Sequence, residues 1–371
     1  MQRTILYSLI LIAGLLLGIG LLRYYPYVAS MISFDRRFTI ISLEGSTAGK
    51  LELSRTENPK SIFLLVADRR MDRRWNTTHL ETRLGLKISQ ILNERSIDSA
   101  VFDRKDAGLP PDHYLPTTEI AEQIRDAFIA LQAYRESQQI YRQNQVTVNI
   151  LAHGDGCLAT LTAIAKFQIE PTRMILLGCA YDGSLLETYG ETIRNTMQLT
   201  KVKETILTQS QSEWHDWLNQ PEYEELTEDQ WLEKQKVMLK EGIDQDLVAF
   251  RRTVSVFQRP HNRKWLIESK QLSYIDLVNQ VLKSSRVLID HYPSEFDEEL
   301  PTDLITRNSV RAATFGPRYT FKVLPRTDHF LFEKDTPPAS PVENMMSRGN
   351  PFKSLSSAFL AIIDTLELKE P

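Results

Sequence analysis

The chain has 371 residues, 42% hydrophobic and 25% charged, with a net charge of −4 and both signs interspersed. This is ordinary globular composition, enough for one large α/β domain or two smaller ones, and with no basic block it argues against a nucleic-acid partner. The only cysteines, Cys157 and Cys179, lack CxxC spacing, and no HxxxH or HExxH occurs among seven histidines, so neither a metal nor another cofactor is expected.

Thr4 to Leu22, TILYSLILIAGLLLGIGLL, is a run of 19 residues without a charge. At the helical rise it spans roughly 28 Å, close to a bilayer core. Arg3 and Arg23 flank it, and Tyr24, Tyr25 and Tyr27 follow at interfacial depth. The rival reading is a cleaved signal peptide ending near Val28-Ala29-Ser30, but the run exceeds a usual apolar leader core and Arg23 interrupts the approach to the site. The expectation is an uncleaved single-pass anchor with residues 1–36 as anchor and linker. Arg3 and the amino terminus roughly balance Arg23, Arg36 and Arg37, so charge leaves the side of the soluble domain open; the extracytoplasmic side is the reading taken.

Arg37–Leu43 and Gly49–Ser54 alternate apolar and polar residues around Gly45 and Gly49, which predicts an antiparallel pair at a sheet edge. Ser61–Ala67 is continuously apolar, as a strand buried on both faces should be. Helical spacing runs from about His79 to Glu94, followed by a short buried strand, Ser99–Asp103. A loop with Pro110, Pro111 and Pro116 leads into a long helix from Thr117 to about Arg142, with Thr117 and Glu119 suited to its start. A strand at Val146–Leu151, a helix near Gly156–Phe167 and a strand at Arg173–Ala180 follow. This rhythm predicts a mostly parallel sheet with helices on both faces. From about Asp182 to Lys270 the chain is polar and helical, with Trp214, Trp217, Trp231 and Trp265, and reads as a helical cap inserted over the sheet. Strands return at Arg286–Asp290 and Arg318–Leu324, Thr336–Pro351 is a Pro-rich surface loop, and an amphipathic helix from about Phe352 to Leu368 closes the chain.

Ala152-His153-Gly154-Asp155-Gly156 lies between strand and helix, where G-x-S-x-G would stand. Val287–Pro301 places Asp297 four residues before Pro301, and Val323–Phe332 carries His329. Leu64–Asn76 is similar to an oxyanion-loop segment and Val101–Gly108 to a DxRGxG loop. In this order the landmarks resemble the α/β-hydrolase superfamily, in its serine esterase, acyl hydrolase and serine-peptidase-like branch. The resemblance covers roughly Arg37 to Leu368 outside the insertion, so residues 37–371 would form one domain. It implies a nucleophile at position 154, an acid at Asp297, with Asp290 and Glu295 as weaker candidates, and a base at His329. It also implies oxyanion N–H groups at Asp155 and near Asp68 or Arg69.

The departures from the family pattern bear on chemistry. Position 154 is glycine, without a nucleophilic atom, and the glycines expected around positions 68 to 70 are Asp68, Arg69 and Arg70. Asp155 is an alternative nucleophile only if the turn shifts by one residue. Cys157 is another, although its place at the start of the helix points it into packing. His153 and the four tryptophans read first as packing residues. His329 reads as a retained partner of Asp297. HGDG lacks the Lys-Ser/Thr of a phosphate loop, and Asn76-Thr77-Thr78 is a formal glycosylation sequon. The expectation is an impaired hydrolase that binds an ester, acyl or peptide ligand, or a protein partner, in the old cleft. The alternatives are an active esterase-like or lipase-like hydrolase using another nucleophile or a water activated by His329, and a purely structural membrane protein. Whether the chain is an enzyme stays open at this point.

Overall fold

The computed structural model describes residues 38–43, 49–69, 71–72, 75, 84–110, 112–181, 183–219, 227–238, 244–337 and 354–366. The apolar run 4–22, the sequon at Asn76 and the Pro-rich loop beyond residue 337 lie outside them. Among the described residues no helix is long and apolar enough to cross a membrane.

Eight strands form one sheet in the order β1-β2-β4-β3-β5-β6-β7-β8. β1 (Phe38–Leu43) and β2 (Gly49–Ser54) pair antiparallel at the edge, and β2 runs antiparallel to β4 (Ile97–Phe102). The rest is parallel: β3 (Ser61–Val66) lies between β4 and β5 (Thr147–His153), followed by β6 (Arg173–Leu177), β7 (Leu288–Tyr292) and β8 (Tyr319–Phe321). Strands buried on both faces need apolar residues at every position rather than at alternate ones. β3 divides accordingly. Leu64 and Val66 join one core with helices α2 (Thr117–Ser137), α4 (Asp155–Phe167) and α10 (Tyr274–Ser284). Phe63 and Leu65 join the opposite core with α1 (Leu84–Glu94) and α12 (Ser357–Leu366). The crossover order and antiparallel second strand give the α/β-hydrolase fold.

Two elements depart from the periodic reading. The helix from Thr117 breaks at Gln138, whose backbone is extended, and restarts as α3 (Gln139–Gln143). The break turns Tyr141 inward, where its hydroxyl donates to the buried Asp98 carboxylate at 2.6 Å. β8 holds three residues rather than seven, and Leu324 pairs with Ser294 only through an isolated bridge.

Between β6 and α10 come α5 (Leu185–Leu199), α6 (Glu204–Leu218), α7 (Glu228–Met238), α8 (Gln245–Phe257) and α9 (Arg263–Gln271). No strand interrupts them among the described residues. Ser184 and Glu187 close a capping box at the start of α5, satisfying two backbone N–H groups at once. Trp214, Trp217, Phe257 and Trp265 form the separate core of this helical unit.

Cys157 and Cys179 form a disulfide linking the first turn of α4 to the chain just past β6, with Cα atoms 6.7 Å apart. The sequence points Cys157 into helix packing and leaves a pairing open; the fold joins it to Cys179 by bringing these neighbouring strand ends together.

Candidate active site

The apex between β5 and α4 is Gly154, with φ 53° and ψ −128°. Glycine reaches this region without the Cβ penalty of other residues. The turn is tight because α4 starts against the end of β3: a Cβ on Gly156 would stand 2.6 Å from the Ala67 carbonyl oxygen. Gly154 N donates to Leu177 O at 3.0 Å, and Tyr181 donates its hydroxyl to Gly154 O at 2.9 Å.

The empty side of Gly154 is occupied from across the cleft. A Cβ built there would lie 2.3 Å from Cγ of Asp68. Oδ1 of Asp68 accepts from Arg69 N and Asp155 N, each at 2.7 Å. The N–H groups of the two residues expected to cradle an oxyanion thus converge on one point, and a carboxylate oxygen of this chain is held there. Oδ2 of Asp68 lies 3.4 Å from Nε2 of His329. On the far side of the ring, Nδ1 of His329 is 2.9 Å from Oδ2 and 3.2 Å from Oδ1 of Asp297. Asp297 is fixed in turn by the N–H groups of Glu299 and Leu300 at 2.9 and 3.0 Å. The fold thus places Gly154, Asp297, His329 and the N–H groups of Asp155 and Arg69 around one centre. Asp290 is elsewhere, paired with Arg173 at 3.1 Å, and Glu295 accepts from Arg326 N at 2.7 Å.

Both alternative nucleophiles are engaged otherwise. Cys157 is fully buried and disulfide-bonded, so it has no thiolate to offer. The turn does not shift to present Asp155. Its Oδ2 is held by Nε of Arg69 and the hydroxyl of Tyr189, each at 2.7 Å. The Arg69 guanidinium lies 4.9 and 4.6 Å from the ring centres of Tyr114 and Tyr189, which clasps the cap against the cleft floor.

Burial opposes charge on His329, but Asp297, Glu299 and Asp68 together outweigh it and hold the imidazolium pKa well above its ordinary value. Burial likewise opposes ionisation of Asp68; the hydrogen bond and charge of His329, with the Asp155 N–H, outweigh it and keep the carboxyl below its usual range. The centre therefore favours an imidazolium on His329 facing a carboxylate on Asp68. His153 packs beside it, its Nε2 donating to His329 O at 2.7 Å and its ring stacked on Trp75. Asp68, His153 and His329 have the residue types of a metal site. Nε2 of His153 is engaged with His329 O and Nε2 of His329 faces Oδ2 of Asp68, while Nδ1 of His153 is buried without a hydrogen-bond partner.

Two buried imidazoles set a pH dependence of stability. Burial lowers His153, with help from the charge of His329, and lowers His291, each from 6.5 to about 4. As pH falls from about 6.5 to about 4, the unfolded chain binds protons on both rings and the folded chain does not, so stability declines across that window. The expected loss is on the order of 3 kcal/mol per ring, readable in urea midpoints against pH. His329 acts with the opposite sign: its contribution is complete below 6.5 and is lost as pH rises through its raised value.

The cleft above this centre has a volume of about 320 Å³, with Leu185, Phe257, Leu300 and Phe330 among its apolar walls. Sequence reasoning noted an acid where glycine belongs at position 68 and glycine where a nucleophile belongs at position 154, but it did not join the two. The signal was their complementarity: the side chain missing at one position is supplied from the other.

No protein-family profile matches the chain, and no curated protein does. Among solved structures it is similar to a thermostable carboxyl esterase from Bacillus coagulans, at 15% identity over 89% of this chain and 99% of that one, with a TM-score of 0.46. It is also similar to a proline iminopeptidase from Mycobacterium smegmatis, at 11% identity over 89% and 99%, with a TM-score of 0.45. A bacterial membrane phospholipase A aligns at 12% identity over 98% and 99%, with a TM-score of 0.43.

Proposed function

We propose that the chain is a membrane-anchored pseudo-hydrolase that uses its cleft to bind an ester, acyl or peptide ligand, or a protein partner, rather than to turn over esters. One observation carries this reading: the Asp68 carboxylate fills both the space of the missing nucleophile and the two-N–H cradle. An acyl carbon arriving at the elbow meets no hydroxyl, and its carbonyl oxygen meets an anion instead of two free N–H donors. Activation of water by His329 gains no support, since an imidazolium that already holds its proton is not a base. The cleft sets the apolar walls Leu185, Phe257, Leu300 and Phe330 beside the polar groups of Asp68, Arg69, Glu299 and His329, which suits a ligand with both an apolar and a polar part.

The apolar run 4–22 supports the anchor. The Cys157–Cys179 disulfide favours an oxidising compartment, and therefore an extracytoplasmic domain. The functional reading is tested with the full-length chain, p-nitrophenyl butyrate and a fluorophosphonate probe. The expected result is no labelling and no turnover above background. Ester turnover that disappears in His329→Ala would overturn the reading.

A further inference from the structure

The helical cap holds a second cavity, of about 320 Å³, which shares no lining residue with the cleft. Helix α5 separates the two. Its residues Leu185, Thr188, Tyr189 and Thr192 line the cleft, whereas Gly190, Ile193, Arg194 and Met197 line the cap cavity, as opposite faces of one helix should. Trp214 and Leu218 of α6 and Phe250 of α8 complete the apolar wall.

Donors and acceptors in this cavity are unevenly served. Trp214 is 6% exposed, yet its indole N–H meets no acceptor among the described residues, whereas Trp231 donates its own to Ser255 O at 3.1 Å. A buried donor left without an acceptor carries the full cost of its lost water. The ring reaches this place because position 190 is glycine: a Cβ there would collide with Nε1 of Trp214. One helical turn further on, the exposed Arg194 guanidinium pairs with no carboxylate among the described residues. The acidic groups of the lining are committed instead. Both oxygens of Glu191 accept from Arg307 at 2.7 Å, and Glu187 closes the capping box with Ser184. Ser210 donates its hydroxyl to Leu207 O at 3.0 Å. What the cavity lacks is an acceptor, placed where an indole N–H and a guanidinium can both reach it.

We infer that this cavity is a second ligand site, for a medium-chain carboxylate such as octanoate. One carboxylate oxygen accepts from Nε1 of Trp214 and the other from Arg194, a charge-assisted pair. The chain lies along Ile193, Met197, Leu218 and Phe250, where the unbranched thioether of Met197 adapts to a flexible occupant. The volume is near the lower end for small-molecule pockets, about 300–1,000 Å³, which suits a chain of several carbons rather than a long lipid tail. The site is independent of the cleft, and its occupation does not require that ester turnover be absent.

The test is calorimetric titration of sodium octanoate into the full-length chain in detergent, with the matched detergent buffer as blank. One octanoate per chain is expected, binding in the submillimolar range. Hexanoate should bind roughly fifteenfold more weakly, at about fourfold per methylene. Arg194→Gln should weaken octanoate about tenfold and leave the binding of 1-octanol unchanged, because only the carboxylate draws on the guanidinium. Trp214→Phe keeps an aromatic ring, removes the N–H and should weaken octanoate about fivefold. Absence of saturable octanoate binding, or an affinity unchanged in Arg194→Gln, would overturn the inference; the latter result would put the carboxylate elsewhere, the cleft included. Arg194 is exposed, so its variant decides the matter even if Trp214→Phe fails to fold. Ester turnover reads the cleft separately, so failure of either reading does not carry to the other.

Discussion

Full-length chain carrying both Asp68→Gly and Gly154→Ser reacts with a fluorophosphonate probe, whereas Gly154→Ser alone does not. The single replacement places Cβ where Cγ of Asp68 stands, 2.3 Å away, and leaves both cradle N–H groups occupied. Removing Asp68 clears the apex and frees both donors, while Asp297 and His329 are already in contact at 2.9 Å. One oxyanion donor is worth about 10²–10³ in rate, so labelling in the double variant should exceed that of the single by at least about 10². Equal labelling of the two would show that Asp68 does not guard the site. Serine at φ 53° carries backbone strain that glycine lacks. The double variant should therefore also unfold more easily, by roughly 1–3 kcal/mol.

Arg104→Met should destabilise the chain by about 3–5 kcal/mol, measured by urea unfolding. Arg104 and Asp106 are 5% and 3% exposed, and they meet through two hydrogen bonds of 2.8 Å. The third arm of the guanidinium donates to Ala67 O at 2.8 Å, at the residue just before Asp68. Removing the arginine strands a buried carboxylate and releases the backbone that carries Asp68. The paired variant Arg104→Leu with Asp106→Leu should recover most of the loss, because no lone charge is left behind. If Arg104→Met costs less than about 1 kcal/mol, the fork is not what holds this loop.

The sheet was legible because strands such as Ile62–Val66 and Met174–Leu177 are apolar at successive positions, which leaves little other than a doubly covered sheet. The elbow was legible from small residues at both ends of a strand-to-helix turn, and the Asp297–His329 contact from their landmarks. What stayed hidden arises between distant segments. Nothing near Gln138 announces a helix break; it follows from Tyr141 reaching Asp98, 43 positions earlier. The Cys157–Cys179 bridge depends on the ends of β5 and β6 being neighbours. Asp68 showed only as a misplaced charge, because its partners are Asp155, 87 positions on, and His329, 261 positions on.

The reciprocal occupation of positions 68 and 154 also restricts how such a chain can change over generations. A serine gained first at 154 collides with a side chain already in place and brings no activity for selection to keep. Loss of Asp68 first strips an imidazolium and two N–H groups of their shared anion, which harms folding before any benefit arrives. Each single step is expected to be a disadvantage, and only the pair to be productive. The arrangement therefore opposes conversion to a serine elbow by one mutation at a time.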